Sequence, residues 1–264
     1  MQIFFYDKSF DGLLSAVFDA YARKSFPARL LAEGEAAPLL AEDAHRVETG
    51  AEKALRVYTG LRAKLSPRAL DMLQLAWLSE EPGSDELIFR YIRKVFDTQG
   101  FQETDLADPD IFALRQTANR VAGEAHLLRG MARFQKTAQG VYFAAIGPKH
   151  NCLTLLLPHF MDRFHGLQWL LYDVTRGYGA FYDGRECREA FLPEEAHRGG
   201  RLWDALLAED EKPIQSLWKG YFNALCIKER LNPKLQRRCM PRRFWPYLTE
   251  KQEEAEYREA VRQS

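Results

Sequence analysis

The residues best suited to chemistry lie close together late in the chain, between Lys228 and Arg243. This stretch carries seven cations against the single acid Glu229, a local charge of +6 in a chain of zero formal net charge. The cations are Lys228, Arg230, Lys234, Arg237, Arg238, Arg242 and Arg243. Arginine forks match phosphate oxygens in pairs, and a flat ring such as that of Trp245 offers a platform for an unpaired base. The pattern predicts nucleic-acid contacts by Arg230, Asn232, Lys234, Arg237, Arg238, Arg242, Arg243 and Trp245.

The same segment has a structural interpretation. Pro233, Pro241 and Pro246 interrupt it, as expected of a chain that wraps across a domain. Its apolar residues would then anchor it, and its cations would pair with carboxylates elsewhere. The anchors would be Leu235, Met240, Phe244, Trp245 and Leu248. Both interpretations stay open at the level of sequence, because a charge patch can simply keep a surface soluble.

A second polar group lies in the middle of the chain. His159 and Arg163 are four residues apart, which places them on one face of a helix, and Asp173 and Arg176 follow on a predicted hairpin. His159 beside Asp173 would act as a general base, with Arg176 holding an anionic substrate. The structural alternative is favoured: His159 as a residue at the edge of the core, and Asp173 with Arg176 as a turn-stabilising pair.

Arginines of this middle region are further candidates for nucleic-acid contacts: Arg129, Arg133, Arg163 and Arg176. Metal binding is not predicted, because the four cysteines form no C-x-x-C pair and the histidines show no ligand spacing. Gly-rich phosphate loops are also absent from the sequence. We therefore expect no cofactor.

Composition sets the broad class of protein. The chain has 264 residues, 46% of them hydrophobic and 28% charged, which is ordinary for a soluble globular protein. No apolar run has the length of a signal peptide or a membrane-spanning helix. A cytoplasmic protein without membrane contact is expected, and any affinity for nucleic acid must come from a local patch.

Hydrophobic periodicity predicts an α+β fold. Residues 1–125 are mostly helical after a short strand at residues 3–6, with Ser9 and Ser66 as helix N-caps and weak strands near 29–32 and 45–48. Residues 126–190 read strand–strand–helix–strand–strand, which predicts a small antiparallel sheet with a helix on one face. Residues 200–250 supply a long helix that stops or bends at Asn232, followed by the basic segment. Residues 251–264 form a polar tail.

Several stretches resemble an uncharacterised bacterial family labelled "probable DNA metabolism protein". The late stretch ERLNPKLQRRCMPRRFWPYLTE resembles one signature of that family, and YDKSFDGLLSAVFDAY resembles its N-terminal signature. Its helical middle is similar to LSPRALDMLQLAWLSEEPG, and its central block to EAHLLRGMARF, PHFMDRF and YDVTRGYGAFYDG. Together these stretches span nearly the whole chain.

The resemblance implies a setting for the protein. Members of that family are associated with a radical-SAM protein placed in DNA modification or repair, and some are fused to a uracil-DNA glycosylase-like domain. This chain lacks the three-cysteine cluster that a radical-SAM enzyme needs, so it would be a companion to that chemistry. The resemblance brings no catalytic residues with it.

Three functional hypotheses follow. The first is a DNA-metabolism accessory protein that binds nucleic acid through the basic segment, beside a radical-SAM protein or a uracil-DNA glycosylase-like protein. The second is a protein–protein adaptor for that partner, anchored by apolar and aromatic side chains. The third is an enzyme acting on a nucleotide or a DNA base with His159, Asp173 and Arg176.

Overall fold

The computed structural model describes residues 1–38, 43–193, 197–199 and 201–252. The chain divides into two compact units, Met1–Ala122 and Gly123–Ser264. None of the described helices combines the length and the apolar character that crossing a membrane requires.

The first unit contains a parallel three-stranded sheet. Its strands lie in the order β2-β1-β3, so β1 is central and pairs with both of its neighbours. The strands are β1 (Gln2–Tyr6), β2 (Arg29–Ala32) and β3 (Asp43–Arg46). All three were predicted, the first from its apolar run and the other two from weaker patterns, although β3 lies two residues earlier than the predicted 45–48. Parallel pairing follows from the helix between β1 and β2, which returns the chain to the end of the sheet where β1 starts.

Helices form the rest of the first unit. They are α1 (Phe10–Arg23), α2 (Ala51–Lys64), α3 (Pro67–Trp77), α4 (Ser84–Asp97) and α5 (Pro109–Met131), the last of which continues into the second unit. The predicted N-caps are confirmed: the Ser9 hydroxyl accepts from the Gly12 amide at 2.8 Å, and the Ser66 hydroxyl accepts from the Ala69 amide at 3.2 Å.

The core of the first unit lies between the sheet and these helices. Its largest fully buried side chains are those of Phe4, Tyr6, Leu13, Leu14, Leu61, Leu73, Ile88 and Tyr91. Burial of apolar surface at this scale is the main stabilising contribution to such a unit. The helical N-terminal half predicted from the sequence is therefore confirmed.

The second unit is built on a five-stranded sheet in the order β4-β5-β6-β7-β8. Its strands are β4 (Gln135–Lys136), β5 (Tyr142–Ile146), β6 (Trp169–Asp173), β7 (Tyr178–Tyr182) and β8 (Cys187–Ala190). The predicted order of strand–strand–helix–strand–strand is confirmed, with β8 as an additional edge strand.

One part of that prediction needs correction, because the sheet is mixed and not wholly antiparallel. The central strands β5 and β6 run parallel, while the other neighbouring pairs are antiparallel. The helix α6 (Leu153–Arg163) connects β5 to β6 and packs against β6 and β7. A helical crossover brings the chain back to the starting end of the sheet, so the two strands that it joins must be parallel.

The remainder of the second unit is mostly helical. A two-stranded ribbon, β9 (His197–Arg198) and β10 (Arg201–Leu202), precedes α7 (Glu211–Ala224). A 3-10 turn at Lys228–Arg230, the helix α8 (Pro233–Cys239) and a 3-10 stretch at Arg242–Tyr247 follow. The α+β class is confirmed. The long helix ends at Ala224 and not at Asn232, and tail residues 253–264 lie outside the described part of the chain.

A carboxylate packed beneath the start of α1 makes Gly12 sensitive to substitution. Asp7 accepts from the Ser9 amide at 2.9 Å and the Ser9 hydroxyl at 2.6 Å. Burial alone would raise the pKa of Asp7, but hydrogen bonds from Ser9 and Thr49 lower it below its ordinary value. A Cβ atom at position 12 would lie 2.1 Å from the Asp7 carboxylate.

We predict that Gly12→Ala destabilises the protein even though alanine favours helices. Asp7 has to move and give up its bonds to Ser9, an overpacking cost of about 1–3 kcal/mol. Gly123→Ala in α5 is the matched control, because no atom lies within 4 Å of its added Cβ. Its better helix propensity should stabilise by about 0.5–1 kcal/mol. Urea denaturation of both variants measures the difference, and equal effects would contradict the prediction.

Candidate nucleic-acid interface

The basic segment divides into a projecting part and an anchored part. The projecting part is the turn at Lys228–Arg230 with the helix α8, and the anchored part is the 3-10 stretch Arg242–Tyr247, which packs against β5. Phe244 and Trp245 are buried in the anchored part, and Leu248 beyond it is buried too. The wrapping interpretation therefore holds for residues 242–248.

The helix α8 presents a line of cations. Asn232 caps it by accepting from the Leu235 amide at 3.0 Å, and Pro233 occupies its first position. Lys234, Arg237 and Arg238 are spaced at i, i+3 and i+4, so they share one helix face. All three are exposed. Arg237 donates to the Pro233 carbonyl at 3.0 Å, a local bond that leaves its charge available.

Arg230 extends this group of cations. It is exposed at the end of the turn that precedes α8. Among the described residues, none of the four side chains Arg230, Lys234, Arg237 and Arg238 forms an ion pair with a carboxylate. We call these four residues the cationic stripe. Because no described acid neutralises it, the stripe is a surface to which a polyanion would be attracted.

Other predicted contact residues are engaged inside the unit. Arg243 forms an ion pair at 2.8 Å with Glu124, whose side chain is only 3% exposed. Trp245 is buried and donates its ring N–H to the Met240 carbonyl at 3.0 Å. Arg242 lies over the Trp245 ring, 5.7 Å from its centroid. The Trp245 ring is therefore closed to stacking by a base.

The predicted arginines of the middle region are placed differently from one another. Arg133 pairs with Glu250 at 2.7 Å, and Arg176 pairs with Asp173 at 2.9 Å. Arg163 is exposed in the last turn of α6, with its guanidinium 5.6 Å from the centroid of the Phe164 ring. Arg129 is exposed and donates to the Leu155 carbonyl at 3.2 Å.

His159 and Asp173 are not brought together as a catalytic pair. His159 is half-buried and its ring contacts that of Phe160 edge to face. Asp173 is fully buried and accepts from the Thr175 amide at 2.9 Å and from the Arg176 guanidinium at 2.9 Å. Burial raises the pKa of Asp173 although Arg176 acts in the opposite direction. This is the geometry of a turn-stabilising pair.

A buried carboxylate in α5 is the central polar group of the second unit. Glu124 accepts from the backbone amides of Lys149 at 3.1 Å and of His150 at 2.8 Å, as well as from Arg243. Arg176 donates to the carbonyls of Pro148 and Lys149 on the same loop. The loop is therefore fixed both through its amides and through its carbonyls.

Sequence reasoning did not identify this role of Glu124, although one signal was present. In the sequence, Glu124 lies three residues after Val121 and directly before Ala125, so it falls among apolar residues at the spacing of one helix face. A carboxylate on a buried stripe requires hydrogen-bonding or ionic partners. That requirement indicates that an arginine pairs with Glu124 inside the protein, but it does not identify the arginine.

The apolar face of α7 is also unexpected. Its side chains follow helical spacing, yet they are exposed in the described structure, from 37% for Trp218 to 75% for Leu217. The exposed residues are Ile214, Leu217, Trp218 and Tyr221, together with Leu225 directly after the last residue of the helix. We call them the α7 apolar face. An exposed apolar surface of this kind typically marks a docking site.

The four cysteines all lie in the described part of the chain, none of them is in a disulfide, and their environments differ. Cys152 is fully buried, and burial raises its pKa to about 12. Burial also raises the pKa of Cys187, which is half-buried. Cys226 and Cys239 are exposed, at the two ends of the projecting part. Within the described residues, no group of three or more His, Cys, Asp or Glu side chains is arranged to hold a metal ion.

A cleft of about 570 Å³ opens in the first unit, between the end of β1 and the start of α4. Its two cations are neutralised by carboxylates: Lys8 pairs with Asp85, and Arg29 pairs with Glu86 at 3.1 Å. Three further glutamates line the cleft. An acidic lining of this kind disfavours a phosphate, so the cleft is separate from the candidate interface.

Fold and site together define a two-unit α+β protein with an exposed cationic helix. The chain belongs to an uncharacterised protein family: a family model described as a domain of unknown function, DUF4130, matches residues 82–250. The matched region includes the cationic stripe, the α7 apolar face and the Glu124 cluster. No curated protein matches the chain.

We predict that Arg243→Ala destabilises the second unit and that Arg238→Ala does not. Removing Arg243 leaves the buried Glu124 carboxylate without its charged partner, which costs about 1–3 kcal/mol because Arg243 is itself half-exposed. Arg238 is exposed on α8, so its removal should change stability by less than about 0.5 kcal/mol. Chemical denaturation tests both variants. Similar stability of the two variants would contradict an internal role for Arg243.

A pH-dependent contribution to stability is predicted for Glu250. Its side chain is 1% exposed, and it accepts from Arg133 and from the Trp218 ring N–H at 2.9 Å. Burial favours the neutral acid, but the bonds from Arg133 and Trp218 outweigh it and lower the pKa of Glu250 below its ordinary 4.5. The ionised carboxylate therefore stabilises the fold above that pH, and the contribution is lost as pH falls through the lowered value.

Glu250→Gln isolates this contribution. Wild type should exceed the variant in unfolding free energy at pH 6, and the difference should shrink as the pH is lowered toward about 3. Urea denaturation across this pH range measures it. A difference that stays constant with pH would show that Glu250 does not act through its charge.

Proposed function

We propose that the protein is an accessory factor of DNA metabolism that binds nucleic acid through the cationic stripe. The observation that carries the proposal is the exposure of Arg230, Lys234, Arg237 and Arg238 on one projecting element, without a carboxylate partner among the described residues. Three of these four are arginines, whose planar forks match phosphate oxygens.

The size of the stripe sets the expected strength of binding. A helix of seven residues is about 10 Å long, which corresponds to about three phosphates along one strand. Four cations release at most about four counterions, so the slope of log K against log salt with duplex DNA should reach about −3.6 at most. Binding of this kind is weak, salt-dependent and indifferent to sequence, because phosphate contacts carry no base information.

The biological setting rests on the resemblance of the sequence stretches to the DNA-metabolism family. That resemblance supports a partner that performs the chemistry, either a radical-SAM protein or a uracil-DNA glycosylase-like protein. The polar groups of the second unit agree with an accessory role, because they bind one another and the backbone. Arg176 donates to Asp173 and to the Lys149 carbonyl, and Glu124 accepts from the His150 amide.

A second candidate function is that of a protein–protein adaptor. The observation that favours it is the α7 apolar face, because aliphatic side chains such as those of Leu217 and Leu225 contribute nothing to phosphate binding. Exposed tryptophan and tyrosine are also enriched at interface hot spots. The two functions are compatible, since the cationic stripe and the α7 apolar face consist of different residues.

Binding to single-stranded and duplex DNA across a salt series tests the proposal. We predict that Arg237→Ala combined with Arg238→Ala lowers the affinity at low salt and reduces the salt slope by about 2. Arg62→Ala combined with Arg68→Ala in the first unit is the matched control, because both residues are exposed cations remote in sequence from α8. The control should bind like wild type.

Two results would contradict the proposal. One is the absence of DNA binding by the intact chain at low salt, and the other is equal weakening by the α8 variant and the control. The adaptor function has a different signature: partner binding should survive the α8 substitutions and be lost on Leu217→Asp.

A further inference from the structure

The cleft in the first unit has the size of a site for a small organic molecule. Its volume of about 570 Å³ lies within the range of about 300–1,000 Å³ that is typical of ligand sites. The end of β1, the strand β2 and the connection from α3 into α4 form its walls. All of these elements belong to Met1–Ala122, so the cleft lies within one unit.

The lining of the cleft carries an excess of negative charge. Among the described residues that form it, five are acidic and two are cationic. The acids are Glu35, Glu80, Glu81, Asp85 and Glu86, and the cations are Lys8 and Arg29. Arg120 adds a positive charge from outside the lining, where it pairs with Glu81 at 2.6 Å. The formal charge is still negative, and concave walls of one sign attract a ligand of the opposite sign.

Two of these carboxylates are fixed along the outer edge of β2. Glu86 accepts from the Leu30 amide and Glu35 accepts from the Ala32 amide, both at 3.1 Å. Amides two residues apart on one side of a strand are separated by about 6.6 Å. The two carboxylates are therefore held at about this spacing, which two ammonium groups joined by a short aliphatic chain can match.

The bonds that fix Glu86 leave it able to bind a ligand. The Leu30 amide and the Arg29 side chain both donate to the same oxygen, Oε1, each at 3.1 Å. Among the described residues, none donates to the other oxygen of Glu86. A carboxylate fixed by the backbone in this way accepts from an ammonium group without a further loss of side-chain entropy.

The hydroxyl of Tyr6 is a second polar group that a ligand would satisfy. Tyr6 lines the cleft, its side chain is fully buried, and its hydroxyl forms no hydrogen bond with the described residues. Burial raises the pKa of Tyr6, and the charge of Asp85 acts in the same direction, so the phenol stays neutral. Asp85 itself is paired with Lys8. A buried hydroxyl without a partner is unfavourable, and a phenol oxygen accepts from an ammonium group.

Trp77 gives the cleft an aromatic wall. Its side chain is half-buried in the lining, with the Phe10 ring packed edge to face at 5.7 Å between centroids. An indole ring attracts an organic cation and also covers aliphatic carbons. A bare metal ion would leave most of the 570 Å³ unfilled, so the walls suit an organic cation better.

We propose that the cleft binds a short aliphatic diamine, with one ammonium group at Glu35 and the other at Glu86. The ammonium group at Glu86 also donates to the Tyr6 hydroxyl, and the aliphatic chain lies along the Trp77 ring. The site shares no residue with the cationic stripe. It therefore stands independently of the proposed function.

Calorimetric titration of the intact chain with putrescine, in the absence of DNA, tests the proposal. Putrescine should bind at low salt and more weakly as the salt concentration rises. Butylamine has a single ammonium group, so it should bind at least about tenfold more weakly. Three results would overturn the proposal: no binding of putrescine, equal affinity for the two amines, or tighter binding of Mg²⁺ than of putrescine.

Substitution of the two fixed carboxylates locates the site. Glu35→Gln combined with Glu86→Gln should weaken putrescine binding at least about tenfold. Glu52→Gln combined with Asp71→Asn is the matched control, because it removes two charges from exposed positions of α2 and α3 outside the lining. The control should bind like wild type. Equal weakening by both variants would show attraction by overall charge only and would overturn the site.

Tyr6→Phe separates binding from folding. The variant should bind putrescine about three- to tenfold more weakly, because one hydrogen bond to the ammonium group is lost. Its stability without ligand should not fall in urea denaturation, since the hydroxyl has no partner among the described residues. Unchanged affinity combined with lower stability would show that the hydroxyl serves the fold and would remove Tyr6 from the site.

Discussion

The second unit depends on one buried carboxylate and the groups that neutralise it. Glu124 projects from α5 and joins three parts of the chain that are far apart in sequence: its own helix, the loop at Lys149 and His150, and the C-terminal segment through Arg243. A charge removed from water is tolerated only when partners of this kind surround it. The position of the C-terminal segment is therefore fixed by electrostatics as well as by the burial of Phe244 and Trp245.

Because Arg243 is paired with Glu124, the two ends of the basic segment have different roles. Arg243 neutralises an internal acid, whereas Arg237 and Arg238 remain in water on α8. The same residue type thus stabilises the fold at one end of the stretch and defines a cationic surface at the other. The 3-10 stretch Arg242–Tyr247 packs against β5, so the chain is held in place directly after the exposed helix α8.

Local signals in the sequence predicted most of the elements. Ser9 and Ser66 cap helices through bonds to residues three positions away, so their roles can be read from short stretches. The parallel pairing of β5 and β6 was also within reach, because a helix lies between them. Ion pairs between residues that are far apart in the sequence could not be predicted. No pattern distinguishes Arg243 from Arg238, since the partner of Arg243 is 119 positions away.

Periodicity has a related limit at α7. The spacing of its apolar residues is that of an amphipathic helix, but spacing does not specify what lies against the apolar side. Burial separates residue types that the sequence does not: the predicted stacking ring of Trp245 is buried, while the rings of Trp218 and Tyr221 are exposed.

The environments of the cysteines have a consequence for oxidation. Cys152 is fully buried with a pKa of about 12, so it remains a protonated thiol that oxidants attack slowly. Cys226 and Cys239 are exposed on either side of the turn and helix that carry the cationic stripe. Peroxide or glutathione disulfide would therefore modify the protein first at this surface, and an added glutathione would place its negative charges beside the arginines.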